Sequence, residues 1–227
     1  CLFSKYIRVR LPELGCPVLV NIAGETLDEY RRLAALLNGV DEVAGLEVNI
    51  SCPNVKKGGI SFGCDPALVY ELVCRVREAY RGPLIVKLSL EAGNIVSVAE
   101  AATRAGADAL SLINTIKGMV IDVQKRRPVL GNSTGGLSGP ALRPLAVRAV
   151  WEVSQAVSVP VIGMGGIMQA EDALQFILAG SAAVAIGTAN FVNPAVPKEI
   201  CDGLKRYLAD NGFTHYRELI GLARPGS

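Results

Sequence analysis

Short apolar runs alternate with longer amphipathic segments along the whole chain. Apolar runs bounded by turn residues are typical of buried strands, and apolar positions three or four residues apart are typical of helices. The runs predict six strands, at residues 17–22, 46–50, 84–88, 109–113, 159–162 and 182–186. The other segments predict a helix after each strand, at residues 26–37, 65–80, 96–105, 141–157, 170–179 and 195–209. Strands and helices in strict alternation indicate an α/β protein with a parallel sheet and right-handed crossovers.

Capping and turn residues support these boundaries. Thr26 and Asp65 are suited to cap the first two helices, and Pro66 stands at the favoured first helical position. Residues 11–15 predict a helix that ends in a turn, and residues 117–140 are predicted to form a long loop.

The strand endings favour a TIM (β/α)8 barrel that lacks its first two strands. The last two predicted strands run into Gly163-Met164-Gly165-Gly166 and Gly187-Thr188, and strands 7 and 8 of such barrels bind phosphate at this point. Counting back makes residues 17–22 strand 3, so we expect an N-terminally incomplete barrel, with residues 1–227 as a single domain. An open, doubly wound sheet is the alternative, and the lack of a GxGxxG motif after the first strand disfavours it.

Composition narrows the class of function. The chain has 227 residues, of which 50% are hydrophobic and 5% aromatic, as expected for an aliphatic core of parallel strands. A net charge of +2 without a basic stripe gives no reason to expect nucleic-acid binding. No apolar run reaches the roughly 18 residues of a membrane span. We therefore expect a soluble, cytoplasmic protein.

Cysteines are the most reactive side chains available. They stand at positions 1, 16, 52, 64, 74 and 201 without a CxxC pair, which favours reduced thiols over disulfides and gives no metal site. The single histidine, His215, is expected to be a surface residue before a helix. Cys16, Cys64, Cys74 and Cys201 are expected to be inert and buried.

Cys52 differs from the other cysteines because its loop follows a buried strand on the predicted active face. Asn49 and Asn54 flank it, and Pro53 disfavours helical geometry at the cysteine. A thiol held in this way is suited to proton transfer as a general base.

Lys87 and several asparagines lie near the same strand ends. A lysine in an apolar strand should face an anionic group, and the N1–C2=O edge of a flavin is a suitable partner, whereas the alternative is a lysine that reaches solvent. Asn side chains donate and accept hydrogen bonds, which suits a pyrimidine ring. The asparagines are Asn21, Asn49, Asn54 and Asn114, and Thr115 adds a hydroxyl. Glycine turns at the last two strands, with Ser138-Gly139, favour phosphate binding over plain turns.

These motifs closely resemble the class 1 dihydroorotate dehydrogenases. The resemblance runs from about Leu11 to the C-terminus and rests on residues 49–59 (Asn-Ile-Ser-Cys-Pro-Asn-Val-Lys-Lys-Gly-Gly), 62–66, 114–119, 135–141 and 163–167. The Gly-Gly-x-x-Phe-Gly extension is similar to subclass 1B, whose FMN subunit works with an iron–sulfur/FAD subunit and NAD. The resemblance implies a homodimer or heterotetramer.

The resemblance also implies the site. A TIM barrel would hold FMN and oxidise dihydroorotate to orotate in pyrimidine biosynthesis, with Cys52 removing the C5 proton while hydride passes from C6 to flavin N5. The implied FMN-binding residues are Asn21, Asn49, Lys87, Ile113, Gly139, Gly165, Gly166, Gly187 and Thr188. The implied substrate-binding residues are Asn49, Asn54, Asn114 and Thr115.

Other interpretations remain open at this point. The family's first two strands, with a flavin-binding lysine and an Asn-containing substrate loop, have no counterpart here, so we expect weak FMN retention and little turnover. A flavoenzyme similar to dihydropyrimidine dehydrogenase is an alternative, although its loop resembles Ser-Cys-Pro-His rather than the Ser-Cys-Pro-Asn of residues 51–54. An inactive fragment or phosphate-binding scaffold is another.

Overall fold

Six strands form one parallel sheet in the computed structural model, which describes residues 8–50, 62–91 and 93–224. Four further, very short strands form two small antiparallel ladders. The strands are β1 (Leu19–Ile22), β2 (Gly45–Asn49), β3 (Leu84–Leu88), β4 (Ala109–Leu112), β5 (Ile116–Gly118), β6 (Ile121–Asp122), β7 (Arg127–Pro128), β8 (Gly135–Leu137), β9 (Val161–Met164) and β10 (Ala183–Ala185). The sheet strands agree with the six predicted from the sequence.

The helices follow the strands as predicted. They are α1 (Leu27–Leu37), α2 (Pro66–Ala79), α3 (Ile95–Arg104), α4 (Arg143–Ala156), α5 (Ala170–Ala179), α6 (Ala189–Val192) and α7 (Val196–Asp210), with 3₁₀ turns at Arg8–Leu14, Phe62–Cys64, Pro140–Leu142 and Tyr216–Leu219. Thr26 and Asp65 cap α1 and α2 through their side-chain oxygens. His215 is exposed and caps the last 3₁₀ turn. Among the described residues, no helix has both the length and the apolar character needed to cross a membrane.

The strand order excludes a doubly wound sheet. The strands of the large sheet lie in chain order, β1-β2-β3-β4-β9-β10, and every pair is parallel. In a doubly wound sheet, the order in which the strands are added reverses at a switch point, and the strand order seen here has no such reversal. Right-handed crossovers then place the connecting helices on one face, where α1, α2, α3, α4 and α5 contact one another in sequence. The sheet therefore forms part of a barrel wall.

The two faces of the sheet differ in chemistry. Leu46, Val86 and Leu110 are fully buried on the helix side. The alternate positions point to the other face, where the register aligns Asn49 with Lys87 and Lys87 with Ser111. This polar inner face corresponds to the interior of a barrel.

Two predictions about local structure are wrong. Residues 117–140 are not a simple loop, because β5 pairs with β8 and β6 pairs with β7. The cysteines expected to be inert in the core are also not buried: Cys16 and Cys201 are exposed, and Cys64 and Cys74 are half-buried. Cys16 precedes β1 and Cys201 lies on the outer helix α7, so neither has a covering layer.

Candidate active site

A cavity of about 340 Å³ lies at the carboxyl end of the sheet, where the strands of parallel α/β proteins gather their functional side chains. Its volume is at the lower end of the range for small-molecule sites. Most of the residues implicated from the sequence line it together: Lys87, Ile113, Asn114, Thr115, Gly139, Gly165, Gly166, Gly187 and Thr188. These residues come from five strands or the loops that follow them, so the fold assembles them from distant parts of the chain.

Glycines shape one wall of the cavity. Gly139, Gly165 and Gly166 have φ angles of +94°, +126° and +75°, which side chains with a Cβ rarely adopt. A Cβ on Gly166 would lie 2.7 Å from the carbonyl oxygen of Gly139, so the two loops can approach only as bare backbone. Gly187 differs, because its φ is not in the left-handed region and a Cβ there, as at Gly139, would meet no atom within 4 Å. The space beside Gly187 is open to a ligand.

A buried carboxylate anchors the loop that carries two of these glycines. Asp172 of α5 is 2% exposed and accepts hydrogen bonds from the backbone N–H groups of Met168 (2.9 Å) and Gln169 (3.2 Å). Its other oxygen accepts a hydrogen bond from the guanidinium of Arg143 at the start of α4. The segment after Gly166 is therefore tied to both neighbouring helices.

Glu47 joins four strands on the inner face of the sheet. Its Oε2 accepts a hydrogen bond from Asn21 Nδ2 at 2.5 Å, and its Oε1 accepts one from Ser111 Oγ at 2.6 Å. Lys87 Nζ lies 4.0 Å from Oε2. Glu47 also lines the cavity. Within this chain the anionic neighbour of Lys87 is a carboxylate that the sequence pattern was not used to predict, and a flavin as the partner of Lys87 stays a prediction.

The predicted asparagines differ in position. Asn21 does not line the cavity but reaches Glu47, which does. Asn49 ends β2 opposite Lys87, and its carbonyl oxygen accepts a 2.6 Å hydrogen bond from the Tyr30 hydroxyl. Asn114 is half-buried in the cavity wall and accepts a 2.9 Å hydrogen bond from the backbone N–H of Thr115.

Cys52 and Asn54 lie outside the described residues, so their predicted roles stay predictions. Glu47, Ser111, Arg143 and Asp172 are the residues that sequence reasoning missed. A signal existed for Glu47, because a carboxylate within the apolar run Gly-Leu-Glu-Val-Asn is as unusual as the lysine in the next strand. Ser111 and the Arg143–Asp172 pair have no comparable signal in the sequence.

A family model and the similar curated proteins carry the same enzyme name. The family model for dihydroorotate dehydrogenase matches residues 4–208. The chain is 59% identical over 221 residues to the dihydroorotate dehydrogenase B (NAD(+)) catalytic subunit of Geotalea uraniireducens, covering 96% of this chain and 72% of that protein. It is 60% identical over 214 residues to the subunit of the same name from Desulforudis audaxviator, covering 94% and 70%.

A solved structure supports the fold. The crystal structure of DHODH in complex with ferulenol from Eimeria tenella superposes with a TM-score of 0.78 at 22% identity. The match covers 97% of this chain and 69% of that one. At this identity the likeness concerns the fold alone, and it agrees with a sheet that curls as part of a barrel.

Proposed function

The chain belongs to the dihydroorotate dehydrogenase family, and on that premise we propose that it is a flavin-dependent catalytic subunit that oxidises (S)-dihydroorotate to orotate. The reaction serves de novo pyrimidine biosynthesis. The observation that carries this proposal is that Lys87, Asn114, Thr115 and the glycine turns meet in one cavity. We propose that residues 1–227 act as one partial barrel domain.

The cavity has features that fit FMN. Bare backbone at Gly139, Gly165 and Gly166 and the open space beside Gly187 and Thr188 suit a phosphate, which backbone N–H groups bind without side-chain interference. Lys87, within β3, and Ile113, just after β4, also line the cavity, and we assign the isoalloxazine ring to their end of it. We assign Asn21 and Asn49 to the same end, Asn21 through its contact with Glu47. When bound, FMN would accept the hydride from C6 of dihydroorotate.

The chain's own residues would bind the substrate and move its proton. Asn49, Asn54, Asn114 and Thr115 would donate and accept hydrogen bonds at the amide and carbonyl groups of the pyrimidine ring. Cys52, as a thiolate, would take the proton from C5 of dihydroorotate, so that a C–H bond breaks and an S–H bond forms. A carbon acid of this kind needs a base held in place, which the proline after Cys52 favours.

A partner subunit belongs to the proposal as well. The similar proteins from Geotalea uraniireducens and Desulforudis audaxviator carry the words NAD(+) and catalytic subunit in their names. We infer that electrons leave the reduced flavin for NAD(+) through a second subunit with an iron–sulfur cluster and FAD. A homodimer of this chain, or a heterotetramer with that subunit, would be the assembly.

The test is substrate-dependent bleaching of the flavin. The protein is saturated with FMN under anaerobic conditions, and the loss of yellow absorbance is followed after adding dihydroorotate. Orotate should form in equal amounts. Uracil and dihydrouracil serve as the competing substrate pair, and a preference for that pair would favour a dihydropyrimidine dehydrogenase activity. Failure to bleach with dihydroorotate while FMN is bound would contradict the proposal.

A further inference from the structure

We propose that Glu47 is a positioning residue that limits how strongly the positive charge of Lys87 acts on a bound flavin. In this way Glu47 would help to set the midpoint potential of the flavin. The inference rests on the proposed function, because it assumes that FMN occupies the cavity. It concerns the one acidic side chain among the described residues that line the cavity, which no step of the proposed reaction uses.

The charges of the cavity wall are balanced within a single pair. Among the described lining residues, Lys87 is the one cation and Glu47 the one anion. Their side chains are 20% and 18% exposed, so solvent screens the pair only in part. The 4.0 Å separation of Nζ and Oε2 is at the limit of an ion pair and leaves the ammonium free to turn toward a ligand.

Hydrogen bonds fix both the position and the orientation of the Glu47 carboxylate. Ser111, which is fully buried, donates to Oε1, and Asn21 donates to Oε2 from the strand on the other side. Each oxygen therefore has its own donor, and the carboxylate plane cannot rotate without losing a hydrogen bond. Neither donor carries a charge, so the negative charge of Glu47 is left to act on Lys87.

This arrangement has a consequence for a flavin next to Lys87. A reduced flavin carries more negative charge on its pyrimidine edge than an oxidised one, so the lysine ammonium favours the reduced form. Glu47 offsets part of that effect, because the carboxylate 4.0 Å away attracts the ammonium and so holds its positive charge back from the ligand. Removing the charge of Glu47 should therefore make the flavin easier to reduce, and the effect should depend on Lys87.

The experiment measures the midpoint potential of FMN by equilibration with a reference dye, with protein in excess so that all flavin is bound. Glu47→Gln keeps the size of the side chain and a carbonyl acceptor, and it should favour reduced flavin about tenfold, a rise of roughly 30 mV for a two-electron couple. Glu47→Asp draws the carboxylate back from Lys87 and should give a smaller rise. In the Lys87→Gln background, neither change should move the potential by more than about a third of that amount.

Ser111→Ala is the matched control, because it removes a hydrogen bond to Glu47 while keeping both charges. It should lower the melting temperature of the protein. The preference for reduced over oxidised flavin should stay within about threefold of that of the parent protein. Should Glu47→Gln fail to fold, Glu47→Asp measured with and without Lys87→Gln gives the same comparison.

The possible results distinguish a failure of this inference from a failure of the proposed function. Unchanged potentials in the Glu47 variants would mean that Glu47 only joins strands, and equal shifts with and without Lys87 would mean that its charge acts on the flavin directly. Either result would overturn this inference while leaving the proposed function intact. Failure of the parent protein to bind FMN at any concentration would overturn the proposed function, and this inference with it.

Discussion

At the scale of the residue, glycines contribute to the cavity in two distinct ways. Gly166 is required by the fold, because its φ of +75° and its 2.7 Å approach to the Gly139 carbonyl oxygen exclude a Cβ. Gly187 is not required by the fold, because its φ lies outside the left-handed region and the space around it is open. A methyl group at Gly187 would therefore fill ligand space rather than strain the protein, which allows binding and folding to be tested separately.

Gly187→Ala should weaken FMN binding about tenfold or more, which corresponds to roughly 1.4 kcal/mol of binding free energy. The added methyl group would occupy space assigned to the phosphate end, while the melting temperature without FMN should not change. Fluorescence titration of FMN and thermal unfolding measure the two effects. Gly131→Ala is the control, because that turn glycine also has open space around it and lies outside the cavity. Equal FMN affinity in both variants would contradict the assignment of Gly187.

Cys52→Ser should lower the rate of dihydroorotate oxidation at neutral pH by about 10²–10³-fold, because a hydroxyl is a much weaker proton acceptor than a thiolate. The residual rate should rise with pH more steeply than that of the parent. Stopped-flow bleaching of bound flavin across a pH series measures both. Cys16→Ser is the matched control, since this exposed cysteine precedes β1, at the end of the sheet away from the cavity. An unchanged rate in Cys52→Ser would exclude a base role for Cys52.

At the scale of the element, the glycine loop after β9 owes its position to two helices. Asp172 binds two backbone N–H groups of the loop and the guanidinium of Arg143, and its side chain is 2% exposed. This connection fixes the start of α5 relative to the start of α4. The shape of the cavity wall is therefore set by contacts outside the cavity.

Asp172→Ala should lower the free energy of unfolding by about 2–4 kcal/mol, because it leaves the Arg143 charge and two loop N–H groups without their acceptor. The lower part of this range allows for Arg143 being 29% exposed. Urea unfolding measures the change, and FMN affinity should fall as well. Glu152→Ala, which breaks an exposed pair with Arg148, should cost less than about 1 kcal/mol. Similar losses in the two variants would show that the Asp172 contacts do not anchor the loop.

At the scale of the whole molecule, the described sheet has two end strands. β1 pairs only with β2 and β10 only with β9 among the strands that the structure describes. The inner face near β1 is open, since Leu19 on that face is 49% exposed. The cavity lies toward the β10 side of this sheet, where one wall adjoins an end strand.

We predict that this chain by itself retains FMN weakly. Backbone groups on unpaired strand edges are open to solvent and to other chains, so a cavity bordered by an end strand should be poorly held in shape. Absorbance after gel filtration should show much less than one flavin per chain, while added FMN at high concentration should still bind. A stoichiometric yellow protein after purification would contradict this prediction.

Much of the fold and part of the site could be predicted from the local pattern. All six sheet strands follow from short apolar runs, because a strand buried in a parallel sheet must be apolar over its whole length. The glycine turns after β9 and β10 follow from their position between strand and helix, and Lys87 from its contrast with its neighbours. The short ladders within residues 116–137 were missed because strands of two or three residues have no detectable period.

The sequence by itself therefore determined the order of elements, the parallel sheet and the family. Only the tertiary structure decided which side chains meet. Glu47 reaches Asn21, Ser111 and Lys87 because the register of four adjacent strands brings their inner faces into line, although Glu47 and Ser111 are 64 residues apart. Register is a property of pairs of strands, and a shift by one residue would turn Glu47 toward the helices. For that reason no local pattern could have predicted this network, whereas the burial of each strand can be predicted from the apolar residues of that strand.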